Sequence, residues 1–222
     1  MRWAIRIIGV IVVGLVVTEI FARLVMGLGT PPLTVADPAI EYMFAPNQDV
    51  SRFGNRQLYN EYGMRSPSLR EVAQPRRILV FGDSVINGGN LTDHADLATT
   101  LATDDRTFFG NVSAGSWGPA NMGAWIDRFG YLGADTMIVV LSSHDLNDLP
   151  TFEPLNPNTH PTERPALAII EGVQRYLPRY LPKPVTGLLF RASPVTQSSS
   201  GEAAQNGAEE IGPLSIVQIE LD

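Results

Sequence analysis

Apolar positions fall into three regimes along this chain, and each predicts a different kind of structure. The amino terminus is uncharged from Ile7 to Thr18, after Arg2 and Arg6, and stays largely apolar past Glu19 and Arg23 to Leu28. A bilayer core needs about twenty apolar residues in helical form, and Trp3 to Leu28 supplies that length with Arg6, Glu19 and Arg23 near the interfaces. A cleaved signal peptide and a buried core helix are the competing readings. The stretch Phe21-Ala22-Arg23-Leu24 carries a charge and bulky neighbours where a small-residue cleavage site would be needed, which favours an uncleaved anchor over residues 1–28. The positive-inside bias then keeps Arg2 and Arg6 in the cytoplasm and turns the remainder toward the periplasm or the outside.

From Gly29 to Gln74 the pattern breaks, with Pro31-Pro32, Pro38, Pro46 and Pro67 spaced through it. This predicts a linker and irregular lead-in over 29–76. Its aromatic residues, Tyr42, Phe44, Phe53, Tyr59 and Tyr62, predict that it packs on a domain instead of swinging freely.

The third regime alternates. Strands are expected at Ile78 to Phe81, near Phe108 to Val112 and at Met137 to Leu141, with helices near Asp93 to Ala102 and Pro119 to Leu132 between them. Pro119 suits a first helical turn and Gly133 a C-terminal stop. Such β-α-β-α-β order predicts an α/β fold with a parallel central sheet and helices on both faces. A further helix is expected where Ala166, Ile169, Ile170, Val173 and Leu177 share one face, ended by Pro178. Residues 191–212 are too poor in apolar side chains to offset ordering entropy and predict a flexible loop. Leu214 to Leu221 reads as a last strand, so one domain is assigned to residues 77–222.

Composition narrows the function. The chain has 222 residues, no cysteine, a formal charge of −7 and only three histidines, His94, His144 and His160. Disulfides and thiolate metal sites are excluded, and the acidic balance argues against a nucleic-acid partner. The one tempting metal cluster, His144-Asp145 with Asp148, is short of ligands at a defined spacing, so neither metal nor cofactor is expected.

Chemistry concentrates at Arg77 to Asn90, RILVFGDSVINGGN. Ile78 to Phe81 reads as a buried strand, Gly82 permits a bend, and Ser84 is thereby aimed out of the sheet end, where open α/β sheets bind ligands. A phosphate loop is the weaker reading, because the Gly-Lys-Ser/Thr ending is missing. The GDS triplet with its strand resembles the first block of the GDSL, or SGNH, hydrolases. Residues 45–47 and 60–65 are similar to the segment that precedes GDS in membrane-anchored bacterial members.

That resemblance, spanning roughly residues 40 to 180, implies a three-layer α/β/α sandwich of SGNH or flavodoxin-like type and a serine ester hydrolase. Ser84 would be the nucleophile, attacking an acylated carbohydrate or lipid through an acyl-enzyme. The second block falls at Asn111 to Gly118 and implies the Gly115 amide as an oxyanion donor, although strict spacing from Asn111 selects Ser113. A plain glycine-bearing turn is the alternative. In the third block His144 stands where the family has asparagine, as an oxyanion donor, a base or a loop cap; by residue identity the position belongs to Asn147. The fourth block, Asp-x-x-His, is absent from this chain, since no histidine follows His160. A chain that stops short of that block, a site rebuilt on His144 or His94, and a noncatalytic relative are the three explanations. An O-acyltransferase acting on an extracellular polysaccharide, and a carbohydrate-binding relative stacking sugars on Trp117 and Trp125, are the alternative functions.

Overall fold

The computed structural model of the chain describes residues 2–181 and 215–220. The flexible loop expected over 191–212 lies outside the described residues.

Helix α1, Arg2–Leu24, has a mean hydropathy of 2.4 over its most apolar window and is long and apolar enough to cross a membrane. At about 1.5 Å per residue its 23 residues extend about 34 Å. Only Ala22, near its end, is buried.

The lead-in is more regular than its prolines suggest. It folds into two antiparallel hairpins, β1 (Thr34–Asp37) with β2 (Glu41–Phe44) and β3 (Gln48–Arg52) with β4 (Asn55–Tyr59). In the first, the Asp37 carboxylate accepts from the Ala39 and Ile40 N–H groups and closes the turn. In the second, Arg52 pairs with Asn55, so the loop is Phe53-Gly54, with φ of 52° and 85°. Two consecutive left-handed residues are what a two-residue hairpin turn of matching twist requires.

The sheet of the domain has the order β6-β5-β7-β8, from β5 (Arg76–Gly82), β6 (Thr107–Ser113), β7 (Thr136–Leu141) and β8 (Ser215–Glu220). β5 lies parallel to both β6 and β7. The last strand departs from the expected all-parallel arrangement, for β8 runs antiparallel to β7 along the edge. An apolar alternation announces a strand but not its direction, and an antiparallel edge on a parallel sheet is common.

Both faces of β5 are covered, as its unbroken apolar run requires. Leu79 and Phe81 meet Val112, Met137 and, from helix α4 (Pro119–Phe129), Met122 and Trp125. Ile40, Tyr42 and Met43 of the first hairpin join that same core. Ile78 and Val80 face the other way, with Val140, Ile138, Phe109 and Ile86 of the short helix α2 (Ser84–Asn87). Burying Trp125, which is 1 % exposed, ties α4 to the sheet by about 3–5 kcal/mol on the scale of aromatic-to-alanine losses.

Helix boundaries shift where local packing overrides pattern. The helix expected over 93–102 divides into a 3₁₀ turn, His94–Asp96, and α3, Ala98–Ala102. Leu97 between them is extended and buried, whereas Leu101 is exposed, so the two do not share a face. Helix α4 stops at Phe129, because Gly130 takes the left-handed φ of 68° that ends it before Gly133 can. After α5 (Ala168–Glu171) the chain continues as a π turn, Gly172–Tyr176, and a 3₁₀ turn, Leu177–Tyr180. Pro178 does not end this run. It sits in the first turn of the 3₁₀ piece, where a missing N–H breaks no intrahelical bond.

A buried ion pair fastens this segment to the lead-in. Glu171 accepts from Arg52 Nη2 at 2.5 Å, Arg175 Nη1 at 3.0 Å and the Gly29 N–H at 2.5 Å. Arg52, fully buried, also donates to the Gly27 carbonyl and the Tyr176 hydroxyl.

Candidate active site

Parallel pairing sets the carboxyl ends of β5, β6 and β7 along one edge, with Gly82 opposite Ser113 and Phe81 opposite Val139. Three loops emerge there, beginning at Asp83, Ala114 and Ser142. Their contacts show that they converge. The Asn87 side chain donates to the Ser113 carbonyl at 2.9 Å, binding the first loop to the second. A methyl group at Gly118 would overlap the Asp148 carbonyl oxygen and lie 2.7 Å from that of Asp145, so glycine lets the second loop approach the third.

Ser84 is the first residue of α2 and is half-buried. Asp83 caps the helix, its carboxylate accepting from the Val85 N–H at 2.8 Å. Among the described residues no acceptor takes the Ser84 N–H, which as a first-turn donor has no partner inside the helix. Gly82 serves differently from the bend expected of it. Its φ is not in the left-handed region, and a methyl group there would run into the Ile86 side chain, so it is close packing of α2 on the strand that needs glycine.

On the second loop, Ser113 is the last residue of β6, buried and paired in the sheet, with its hydroxyl bonded to Asn111 Oδ1. Gly115 lies beyond the strand and is half-buried, so of the two it is the one in the loop. The Gly115 carbonyl accepts from the Tyr42 hydroxyl, and the Tyr42 carbonyl accepts from Trp117 Nε1 at 3.0 Å. Asn121 extends this tie, accepting from the Gly118 N–H at 3.0 Å and donating to the Ile40 carbonyl at 2.7 Å. The first hairpin thus holds the Gly115 turn in place. Trp117 and Trp125 are 2 % and 1 % exposed, which removes both as sugar-stacking platforms.

On the third loop Asp145 is buried and accepts from the Ser142 N–H and hydroxyl at 2.5 and 2.9 Å. His144 and Asn147 stand exposed on either side of it, around a 3₁₀ turn. Among the described residues neither side chain, nor any imidazole, is hydrogen-bonded to Ser84. His94 lies elsewhere, buried at the 3₁₀ turn beside β4, among Arg65, Arg56, Asp93 and Asp49. His160 packs edge-on against Tyr42, with ring centroids 4.3 Å apart, and burial holds its imidazole below the ordinary value.

The sequence marks Asp145 and Asp148 only as candidate metal ligands, and it does not single out Asp83 beside Asp145. Burial, opposed by the Val85 N–H and reinforced by the neighbouring Asp145, pushes the Asp83 carboxyl up to about 6. Burial and the nearby Asp145 and Glu41 charges raise Asp148 in the same direction, and His144 partly offsets them. Tyr42 is raised as well, by burial first and then by Glu41. Burial is the largest cause in each case, and the clustered acids add to it; a cationic conjugate acid is favoured there over a further anion. Among the described residues no group of three or more acids and histidines is placed to hold a metal ion.

The signal for this cluster was half visible, because Asp83 and Asp145 each stand beside a residue chosen for its chemistry; their adjacency needs the β5–β7 register, which no motif carries. Comparison with protein-family models, with curated proteins and with solved structures finds no match to this chain.

Proposed function

We propose that the chain is a membrane-anchored serine ester hydrolase of SGNH type, releasing an acyl group from a carbohydrate or lipid outside the cytoplasm. The observation that carries this reading is Ser84: a half-buried serine opening a helix just past the end of an inner parallel strand, between Asp83, whose carboxyl neighbours Asp145 of the β7 loop, and Asn87, which bonds the Ser113 carbonyl at the end of β6. Its hydroxyl oxygen gives its proton to the base and attacks the ester carbonyl, the C–O bond to the alcohol breaks as that alcohol leaves protonated, and water then hydrolyses the acyl-serine ester to the free acid and Ser84. The Ser84 and Gly115 amides hold the developing oxyanion, with a third donor from His144 or Asn147. Asp83 and Asp145 supply a field that stabilises a protonated base. The base itself is unassigned. The proposal includes the finer α/β/α layering of that family, and an orientation in which α1 crosses the bilayer with Arg2 and Arg6 on the cytoplasmic side.

A fluorophosphonate probe tests the chemistry. Labelling at Ser84 that vanishes in Ser84→Ala is expected, together with turnover of acetylated sugars or short-chain esters. Absence of labelling in folded protein overturns the hydrolase reading and leaves a binding module. Product analysis with a polysaccharide acceptor separates hydrolysis from acyl transfer, and His144→Asn separates an oxyanion donor, which it preserves, from a base, which it abolishes.

A further inference from the structure

The helical run over 168–180 places its apolar residues the wrong way for a core element. Its inner side carries Ala168, Glu171 and Gly172, while Leu167, Ile170, Val173, Leu177 and Tyr180 are exposed by 48, 39, 39, 39 and 84 %. These are largely the positions whose spacing suggests a buried face, yet they form an open apolar surface on the domain.

Its place beside α1 says what covers it. The Glu19 carboxylate accepts from the Ala168 and Ile169 N–H groups at 2.9 and 3.0 Å, and Arg23 Nη2 donates to the Ala166 carbonyl at 2.8 Å. Ala22 and Leu28 pack against Ala168, with Met26 and Tyr176 at the margin. The start of α5 is therefore fixed level with the last turns of α1. Glu19 is also the first charge after the uncharged run that begins at Ile7. Counted from Trp3, with the Arg6 side chain reaching back to the inner interface, the helix to Thr18 covers about 24 Å, so Glu19 stands about one turn inside the outer limit of a hydrocarbon core of about 30 Å, within reach of the interface. A segment bolted at that level, with leucine, isoleucine and valine outward and a tyrosine at its end, has the composition and depth of an interfacial contact.

We infer that residues 167–180 lie in the outer membrane–water interface beside α1, with Ile170, Val173 and Leu177 among the acyl-chain ends and Tyr180 at headgroup level. The inference rests on the anchoring of α1 proposed above. It gives the domain two membrane contacts, and so one orientation of the sheet edge relative to the lipid surface.

The lack of cysteine makes the test direct. Single variants Val13→Cys, Ile170→Cys, Leu177→Cys and Leu101→Cys, in the full chain, each receive a nitroxide, and the protein is placed in vesicles of mixed neutral and anionic phospholipid. Power saturation compares collision with oxygen, which concentrates in lipid, and with a water-soluble nickel chelate. The label at Val13 is expected deep in lipid. Those at Ile170 and Leu177 should collide with oxygen several-fold more than with nickel, and that at Leu101, 71 % exposed on α3, should behave as in water. Labels at 170 and 177 that match Leu101 while Val13 remains in lipid overturn the inference and leave the anchor intact. Labels screened from both reagents overturn it in favour of cover by another part of the chain or by a second copy. Four aqueous labels overturn the anchoring itself.

Discussion

Removing the Glu171 carboxylate should be among the most damaging single changes available outside the apolar core. Glu171→Ala deletes the acceptor for Arg52, Arg175 and the Gly29 N–H at once. Arg52 cannot escape to solvent, since its side chain is wholly enclosed and that of Glu171 is only 2 % exposed. It keeps the Gly27 carbonyl and the Tyr176 hydroxyl, but its charge has lost its counter-ion. Breaking a buried pair from one side costs about 3–5 kcal/mol, most of it the unpaired charge. In a domain of this size each kcal/mol lowers the melting temperature by about 2–4 °C, so a fall of about 10 °C is expected. Circular dichroism melts of detergent-solubilised protein read it. The companion Arg52→Met, Glu171→Leu removes this pair together and should recover the part of the loss due to the unpaired Arg52 charge, while Arg175 and the Gly29 N–H still lack their acceptor. A Glu171→Ala variant within 1 kcal/mol of the native chain, or a double variant no better than the single, refutes this reasoning.

Three further outcomes follow from the site. Asp83→Asn keeps an acceptor for the Val85 N–H and removes the charge. Because the folded carboxyl titrates at about 6, above its ordinary 3.8, the folded state holds the proton better. Stability therefore declines as pH rises between these values, and the variant should be more stable by about 1 kcal/mol at pH 7.5, after discounting for partial exposure, and no more stable at pH 4; melts at the two pH values check this. Gly118→Ala forces a methyl group against the Asp145 and Asp148 carbonyls, and it should slow fluorophosphonate labelling of Ser84 by about tenfold or more through misplacement of the third loop. Tyr42→Phe keeps the ring against the core and removes the donor to Gly115; a loss of about 1 kcal/mol in urea unfolding, with slower labelling, is expected.

What the sequence made legible was the part built on apolar pattern. Ile78 to Phe81, Phe108 to Val112 and Met137 to Leu141 are strands because β-branched and aromatic runs flanked by turns have few other places to go, and each proved longer by one to three residues. The second hairpin was invisible for the opposite reason. Its inward positions include Gln48, Arg52 and Gln57, buried by hydrogen bonds and an ion pair that hydrophobic periodicity cannot register. Its turn, Phe53-Gly54, lacks the usual asparagine. Over 166–177 the pattern was present, but it marks the exposed side, since a polar network took the inner one. At the site, Ser84 at the strand end was legible from local residues. Tyr42, Asn121 and the Asp83–Asp145 pair were not, as their partners lie about 60 to 80 positions away in sequence.

The bonds from Glu19 to Ala168 and Ile169 span 149 and 150 positions. An emerging polypeptide therefore completes its first helix long before the groups that cap the Glu19 carboxylate have been synthesised. Until they arrive, that acid has only Arg23, one turn away, to neutralise it. Closure of so distant a contact is slow. Maturation of this protein should accordingly show a late, collar-tightening phase, in which a stem formed early is seized by the body it carries.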